Sequence, residues 1–131
     1  MSRGIRFLDL DDVLGLARRL LGDPVPIRDM GLLNSAVLRP QTTLVGEYAY
    51  SDIYEMAAAL LQSVVGNHAL IDGNKRLGWL STAVFLQVNG ISVEQLTNDD
   101  VVNLVMWVAS ESPSHGAITR RLRTLLQQFG Q

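Results

Sequence analysis

The nine residues "HALIDGNKR", His68 to Arg76, interrupt two apolar stretches that have helical periodicity. The stretches on either side, roughly Asp52 to Val65 and Asn74 to Val88, repeat apolar residues every three to four positions, which predicts two helices. They show the strongest periodicity in the chain. We therefore expect them to form the central helical pair of an all-α fold, with the nine residues as a loop at the mouth of the core.

The remaining sequence extends this helical pattern in both directions. Before the central pair, we expect a helix capped by Asp9 and ended by Gly22 to Pro26, and a second helix from Asp29 to Leu38. An irregular loop or short hairpin follows from Pro40 to Tyr50. After the central pair, we expect a helix capped by Thr97 or Asn98 and a last helix that carries Ile118, Leu122, Leu125, Leu126 and Phe129. The sequence predicts one all-α domain over residues 1–131, a compact bundle of about six helices.

The composition limits the classes of function. Apolar residues make up 47% of the 131 residues and charged residues 18%, which fits a compact globule. The net charge of −2 provides no electrostatic footprint for nucleic acid or for an anionic membrane. Cysteine is absent, and no stretch approaches the roughly 18 apolar residues of a membrane span. Because Asp9, Asp11 and Asp12 interrupt any leader-like run, we expect a soluble, cytoplasmic protein.

The second half of the loop has the features of an anion site. A helix that begins near Gly73 leaves its first N–H groups unpaired and concentrates about half a positive charge there. Gly73 lets the backbone approach an anion, Asn74 adds a side-chain donor, and Lys75 and Arg76 add two cations. Lys75 is the only lysine among eleven basic residues. Since cations oppose the helix dipole at this end, their position indicates a bound anion.

The first half of the loop supplies groups for catalysis. Neutral imidazole is the usual general base for a hydroxyl, which is the role expected of His68. Asp72 is the only carboxylate in the loop, and a carboxylate beside phosphates commonly holds Mg²⁺. This set fits transfer of a phosphate-containing group to a hydroxyl. The residues alone leave a second interpretation open, in which His68 is structural, Asp72 to Asn74 is an ordinary turn, and the two cations are merely solvated.

The loop closely resembles the signature of the Fic/Doc family, H-[PX]-F-x-[DE]-[GA]-N-[GK]-R. It resembles the Doc branch in having Lys75 where Fic proteins have Gly. The segments "RDMGLLNSAVLRPQ", residues 28–41, and "AAALLQSVVGNHALIDGNKRLG", residues 57–78, are also similar to Doc-type toxins. The chain differs from the family pattern at Leu70, where Phe is usual, and at Ala69, where many members have Pro. We expect Leu70 to fill the same core position, because the change in volume is modest.

The resemblance implies a Fic-like fold and a role for each loop residue. His68 would activate a target hydroxyl, and Asp72 would help to hold Mg²⁺ and phosphate. Gly73 and Asn74 would form the anion hole, and Arg76 would bind phosphate. Lys75 would accompany a nucleotide bound in the reversed orientation. ATP would then donate its γ-phosphate and not its AMP group.

The resemblance also implies a biological role. The protein would be a Doc-like toxin of a toxin–antitoxin module, a protein kinase that blocks translation by modifying a threonine of elongation factor Tu. Gln41 to Tyr50 would be the target-docking flap, and a partly disordered, Phd-like antitoxin would control the toxin. Two alternatives remain: an AMP transferase of the Fic type, and a catalytically silent helical module that only binds a partner, which the change at Leu70 favours. We expect His115 to be simply exposed.

Overall fold

The computed structural model describes residues 4–130, with side chains described for residues 4–127. Over this range the elements are α1 (Leu10–Leu21), α2 (Met30–Leu38), a 3-10 helix (Arg39–Gln41), β1 (Thr43–Leu44), β2 (Glu47–Tyr48), α3 (Ile53–Asn67), α4 (Asn74–Val88), α5 (Asn98–Glu111) and α6 (His115–Gly130). The predicted all-α class is confirmed. The Phe129 side chain, expected on the core face of α6, lies outside the described side chains. None of the helices described combines the length and the apolar character needed to cross a membrane.

Two helices begin with the reciprocal hydrogen bonds of a capping box. The Asp9 carboxylate accepts from the Asp12 backbone N–H, and the Asp12 carboxylate accepts from the Asp9 N–H. Thr97 and Asp100 make the same exchange at the start of α5, so the cap is Thr97 and not Asn98. Each box satisfies two N–H groups that the helix itself cannot pair.

Helix α3 differs slightly from its prediction at both ends. The Asp52 side chain caps it by accepting from the Glu55 N–H at 2.9 Å. The Glu55 carboxylate accepts instead from the Ser51 N–H at 2.9 Å, so the reciprocal bond forms one residue earlier than expected. The helix continues through Asn67, two residues beyond its predicted end, because the chain leaves the helix only where His68 enters the left-handed region at φ 53°.

The segment between the 3-10 helix and α3 is the hairpin that the sequence left as one of two possibilities. Thr43–Leu44 and Glu47–Tyr48 pair antiparallel around Val45 and Gly46. Both turn residues have positive φ, at 51° and 81°, which is the geometry of a two-residue hairpin turn. Tyr48 packs edge-on against Phe7 with ring centroids 5.4 Å apart, so the second strand is held against the segment before α1.

Helix α3 is the centre of the bundle and packs against α2, α4, α5 and α6. Its closest neighbour is α4, and Gly78 allows that approach. A Cβ atom on Gly78 would lie 2.7 Å from Cγ2 of Val65 and 3.6 Å from Cδ1 of Leu61. The largest fully buried side chains are Leu33, Met56, Leu60, Leu61, Leu70, Leu77, Phe85, Leu86, Leu104, Ile118, Leu122 and Leu126. They form one continuous core around the two central helices.

The expectation that His115 is simply exposed is wrong. Its Nε2 atom lies 2.8 Å from the Glu55 backbone oxygen, and its ring lies 4.7 Å from the ring of Tyr50. His115 begins α6 and fastens it to the first turn of α3. No local sequence pattern indicates this contact, because the partners are 60 residues apart in the chain.

We predict that Gly78→Ala lowers the free energy of unfolding by about 1–3 kcal/mol, because the methyl group would overlap Val65 in a packed core. The matched control is Gly15→Ala in α1, where no other group lies within 4 Å of the new Cβ. That substitution should raise stability by roughly 0.5–1 kcal/mol through helix propensity alone. Urea unfolding of both variants measures the difference, and a gain in both would contradict the close contact of α3 and α4.

Candidate functional site

The loop between α3 and α4 is bounded by two residues with left-handed backbone geometry. His68 ends α3 at φ 53° and ψ 44°, and Gly73 precedes α4 at φ 95° and ψ 9°. A side chain in this region costs about 1–2 kcal/mol, although histidine tolerates it better than most residues. The two turns reverse the chain within the six residues 68–73. They bring the C-terminal end of α3 and the N-terminal end of α4 to one side of the bundle.

Glycine is needed at position 73 for a reason beyond the expected anion contact. A Cβ atom there would lie 2.7 Å from Cδ2 of Leu21 in α1, in addition to the strain of the positive φ. The end of α1 therefore packs directly on the backbone where α4 begins. This contact fixes the position of the first turn of α4.

The outer side of the loop pairs with the segment between α1 and α2, which the sequence did not predict. Ile27 and Leu70 form an antiparallel bridge. The Arg28 and Asp29 N–H groups both donate to the Ala69 oxygen, at 2.8 and 3.0 Å, and the Ile71 N–H donates to the Pro26 oxygen at 2.8 Å. A possible signal was the alternation of proline with Val25 and Ile27, which is typical of short extended segments.

The inner side of the loop is closed by Leu70 and Asn74. Leu70 is 2% exposed, so it fills the core position as predicted. Its N–H donates to Oδ1 of Asn74 at 3.0 Å, and its oxygen accepts from Nδ2 at 3.0 Å. Because a backbone N–H can only donate, this pair fixes the orientation of the Asn74 amide. The Asn74 side chain, which the sequence predicted to donate to an anion, therefore has a structural role. Asn74 can still donate its backbone N–H to a ligand.

All six loop residues singled out from the sequence line one cleft of about 330 Å³, namely His68, Asp72, Gly73, Asn74, Lys75 and Arg76. The sequence did not indicate the opposite wall, which is formed by Val108, Ala109 and Ser112 at the end of α5, or the contribution of Ile71 from within the loop. Ser112 also has left-handed geometry, at φ 48°. No local sequence signal marks this wall, since it becomes part of the site only when α5 packs beside the loop.

The cleft is electropositive at the start of α4. Side chains cap α1, α2, α3 and α5 at their N-termini, whereas Gly73 provides no side-chain cap for α4. Lys75 and Arg76 are exposed at the same end. Within residues 4–127, the ion pairs are those of Arg123 with two carboxylates near the start of α3, so the loop cations have no such partner there. Unpaired N–H groups and two cations together favour an anion with several oxygens.

One carboxylate and one imidazole complete the chemistry of the cleft. Asp72 and His68 are both exposed, so both can reach a ligand. Among the described residues, no group of three or more His, Cys, Asp or Glu side chains forms a cluster able to hold a metal ion by itself. A metal at Asp72 would therefore need oxygen ligands from the substrate, as Mg²⁺ commonly does beside phosphates.

Comparison with known proteins places this site in a family. Residues 7–86 match the model of the Fic/DOC family, and this range includes α1, the hairpin, the loop and most of α4. The chain is also 47% identical over 87 residues to a protein named Toxin Doc from Mycolicibacterium smegmatis. The aligned region covers 66% of this chain and 67% of that protein. The chain belongs to the Fic/DOC family, as its loop signature indicated.

We predict that Asn74→Ala lowers the free energy of unfolding by about 1–3 kcal/mol, because it leaves both polar groups of the Leu70 backbone without their partner. The control is Asn103→Ala, which changes an exposed asparagine within α5 and should stay within about 0.5 kcal/mol of the parent. Urea unfolding and amide hydrogen exchange at Leu70 measure the two effects. Unchanged exchange at Leu70 in the Asn74 variant would argue against the closed loop.

Proposed function

We propose that this protein is a Doc-like toxin of a toxin–antitoxin module and acts as an ATP-dependent protein kinase. Its target would be a threonine of elongation factor Tu, and the modification would block translation. The observation that carries the proposal is the convergence of His68, Asp72 and the uncapped N-terminus of α4 on one cleft. Family membership and the similarity to Toxin Doc support the toxin part of this proposal.

In the proposed reaction, His68 is the general base. It accepts the proton of the target hydroxyl as the hydroxyl oxygen attacks the γ-phosphorus of ATP. The bond between that phosphorus and the β,γ-bridging oxygen breaks, and ADP leaves with the electron pair. The exposed position of His68 suits this role, because the target hydroxyl must approach it from solvent.

The start of α4 would stabilise the negative charge that moves across the phosphates. The backbone N–H groups of Gly73 and Asn74 would donate to an anion at the helix terminus, and Lys75 and Arg76 would supply full charges beside it. These donors are fixed by the packing of Leu21 on Gly73 and by the Asn74 pairing with Leu70. Little rearrangement is therefore needed when the phosphate binds.

Mg²⁺ is the metal that the donor set fits best. Asp72 is an exposed carboxylate in the cleft, and a hard oxygen ligand of this kind suits Mg²⁺ when phosphate oxygens and water complete its shell. Bound there, the ion would neutralise phosphate charge. Asp72 is the residue of this chain that would coordinate the ion.

The choice of transferred group depends on Lys75. Within the family resemblance, lysine at this position accompanies transfer of the γ-phosphate, and glycine accompanies transfer of AMP. Lys75 lines the cleft beside Asp72 and Arg76, so it is positioned to contact whichever phosphate lies at the start of α4. This residue favours the kinase over the AMP transferase. The buried, paired state of Leu70 also counts against a silent module, because the loop keeps its closed form without the usual Phe.

We predict that incubation with elongation factor Tu and labelled ATP transfers label from the γ-position and not from the α-position. His68→Ala should reduce this transfer by roughly 10²–10⁴-fold while leaving ATP binding largely unchanged, since only the base is removed. His115→Gln is the matched control, because it removes the other histidine and can keep its hydrogen bond to the Glu55 oxygen. Label from the α-position would instead support AMP transfer, and no label from either position would support the silent module.

A surface next to the cleft is suited to binding the proposed antitoxin. An apolar groove of about 410 Å³ lies between α1, α4 and α5, where its lining includes Leu20, Trp79, Val105 and Met106. Lys75 and Arg76 also line this groove, so its edge is basic. We propose that it receives an amphipathic, acidic segment of the antitoxin, which is disordered until it binds.

Met106→Asp tests this surface. Met106 is 49% exposed, so the change should not disturb the fold, but a carboxylate in the groove would repel an acidic segment and lose apolar contact. We expect the affinity for the purified antitoxin to fall at least about tenfold, which corresponds to about 1.4 kcal/mol. Leu38→Asp, at a residue 47% exposed on α2, should bind that protein as the parent does. Equal affinity of the two variants in a titration would exclude the groove.

A further inference from the structure

We propose that Arg28 is a positioning residue that sets the orientation of His68 by holding its backbone carbonyl. This inference rests on the proposed role of His68 as the base. Nε of Arg28 donates to the His68 oxygen at 2.8 Å, and Nη2 of the same guanidinium donates to the same oxygen. Arg28 lies 40 residues before His68, in the segment between α1 and α2.

The position of the His68 ring depends on its backbone. The imidazole is exposed, and within the described residues no hydrogen bond reaches it. His115 is different, since its ring is hydrogen-bonded to the Glu55 oxygen. A ring without direct support takes its direction from the peptide units on either side. At His68 those units are in the left-handed conformation, which has to be maintained by contacts elsewhere.

Arg28 provides those contacts from two directions. Its side chain holds the His68 carbonyl, and its backbone N–H donates to the next carbonyl, that of Ala69, at 2.8 Å. Two consecutive peptide units of the loop are thus fixed by one residue. The guanidinium is well suited to this task, because two N–H groups in a rigid plane bind one oxygen and hold a fixed direction. A lysine ammonium keeps the charge but has no such plane.

The consequence concerns turnover and not nucleotide binding. Arg28 is not among the residues that line the cleft, so we expect its substitution to have little effect on ATP binding. Loss of the Arg28 side chain would let the His68 peptide rotate and would displace the ring from the target hydroxyl. Displacement of a reacting group by about 1 Å can lower a rate by about 10²-fold. The anion site at the start of α4 would stay as it is.

The test compares Arg28→Gln and Arg28→Lys with the control Arg19→Gln, which removes an exposed arginine on α1. We expect kcat for target phosphorylation to fall by about 10–100-fold in Arg28→Gln, with less loss in Arg28→Lys and none in the control. The KM for ATP should stay within about twofold of the parent in all three. A parallel loss of ATP affinity, or an unchanged kcat in Arg28→Gln, would overturn the inference.

A second measurement does not depend on activity. The chain has two histidines, so their imidazole and ¹³Cα resonances can be assigned with His115→Gln. Arg28→Gln should shift the ¹³Cα and imidazole signals of His68 and leave those of His115 in place. A His68 spectrum equal to that of the parent would overturn the positional role, even in a protein that proves to have no kinase activity. Shifted His68 signals without any transferase activity would keep the Arg28 contact and reject the proposed function.

Discussion

The backbone pairing of residues 26–29 with the loop after α3 is the constraint on which the site depends. The loop has to leave one helix, turn twice and start another within the six residues 68–73, with left-handed geometry at both of its ends. A loop of that kind would sample many conformations alone, and each ordered residue costs roughly 1–2 kcal/mol of backbone entropy. The bridge between Ile27 and Leu70 and the bonds to the Ala69 oxygen hold it from outside. Leu70 and Asn74 hold it from within the bundle. The chemistry of the cleft therefore depends on backbone and core contacts that involve none of the side chains of His68, Asp72, Lys75 and Arg76.

This arrangement explains which features the sequence could predict. Helix stripes and caps are local, so α4 has the bounds that periodicity indicated, and Asp9 and Thr97 form caps from residues three positions apart. The loop residues also came together as expected, because they are neighbours in the chain. Side-chain contacts that join distant segments left no local trace. Arg28 meets His68 across 40 residues, and His115 meets Glu55 across 60.

The distinction between local patterns and long-range contacts also explains why individual motif residues are required. Gly73 and Asn74 were chosen from the sequence for an expected contact with phosphate, but both also have a structural duty. Gly73 accommodates Leu21 at a distance that a Cβ atom would not allow, and the Asn74 amide is committed to Leu70. A motif residue can be required by the fold as strictly as by the reaction. Substitutions at these two positions would therefore change stability and activity together. His68 and Lys75 are exposed, so substitutions there would change activity with little effect on stability.

The first turn of α4 also links the two proposed surfaces. Lys75 and Arg76 line the polar cleft on one side and the apolar groove on the other. They lie where the helix dipole is unfavourable for cations, so each gains by meeting negative charge. A phosphate in the cleft and an acidic segment in the groove would both supply that charge, to the same pair of side chains. Since an acidic segment in the groove would attract these side chains toward itself, occupation of the groove would weaken their contact with the phosphate. An antitoxin of the proposed kind would thus weaken the anion site without entering the cleft.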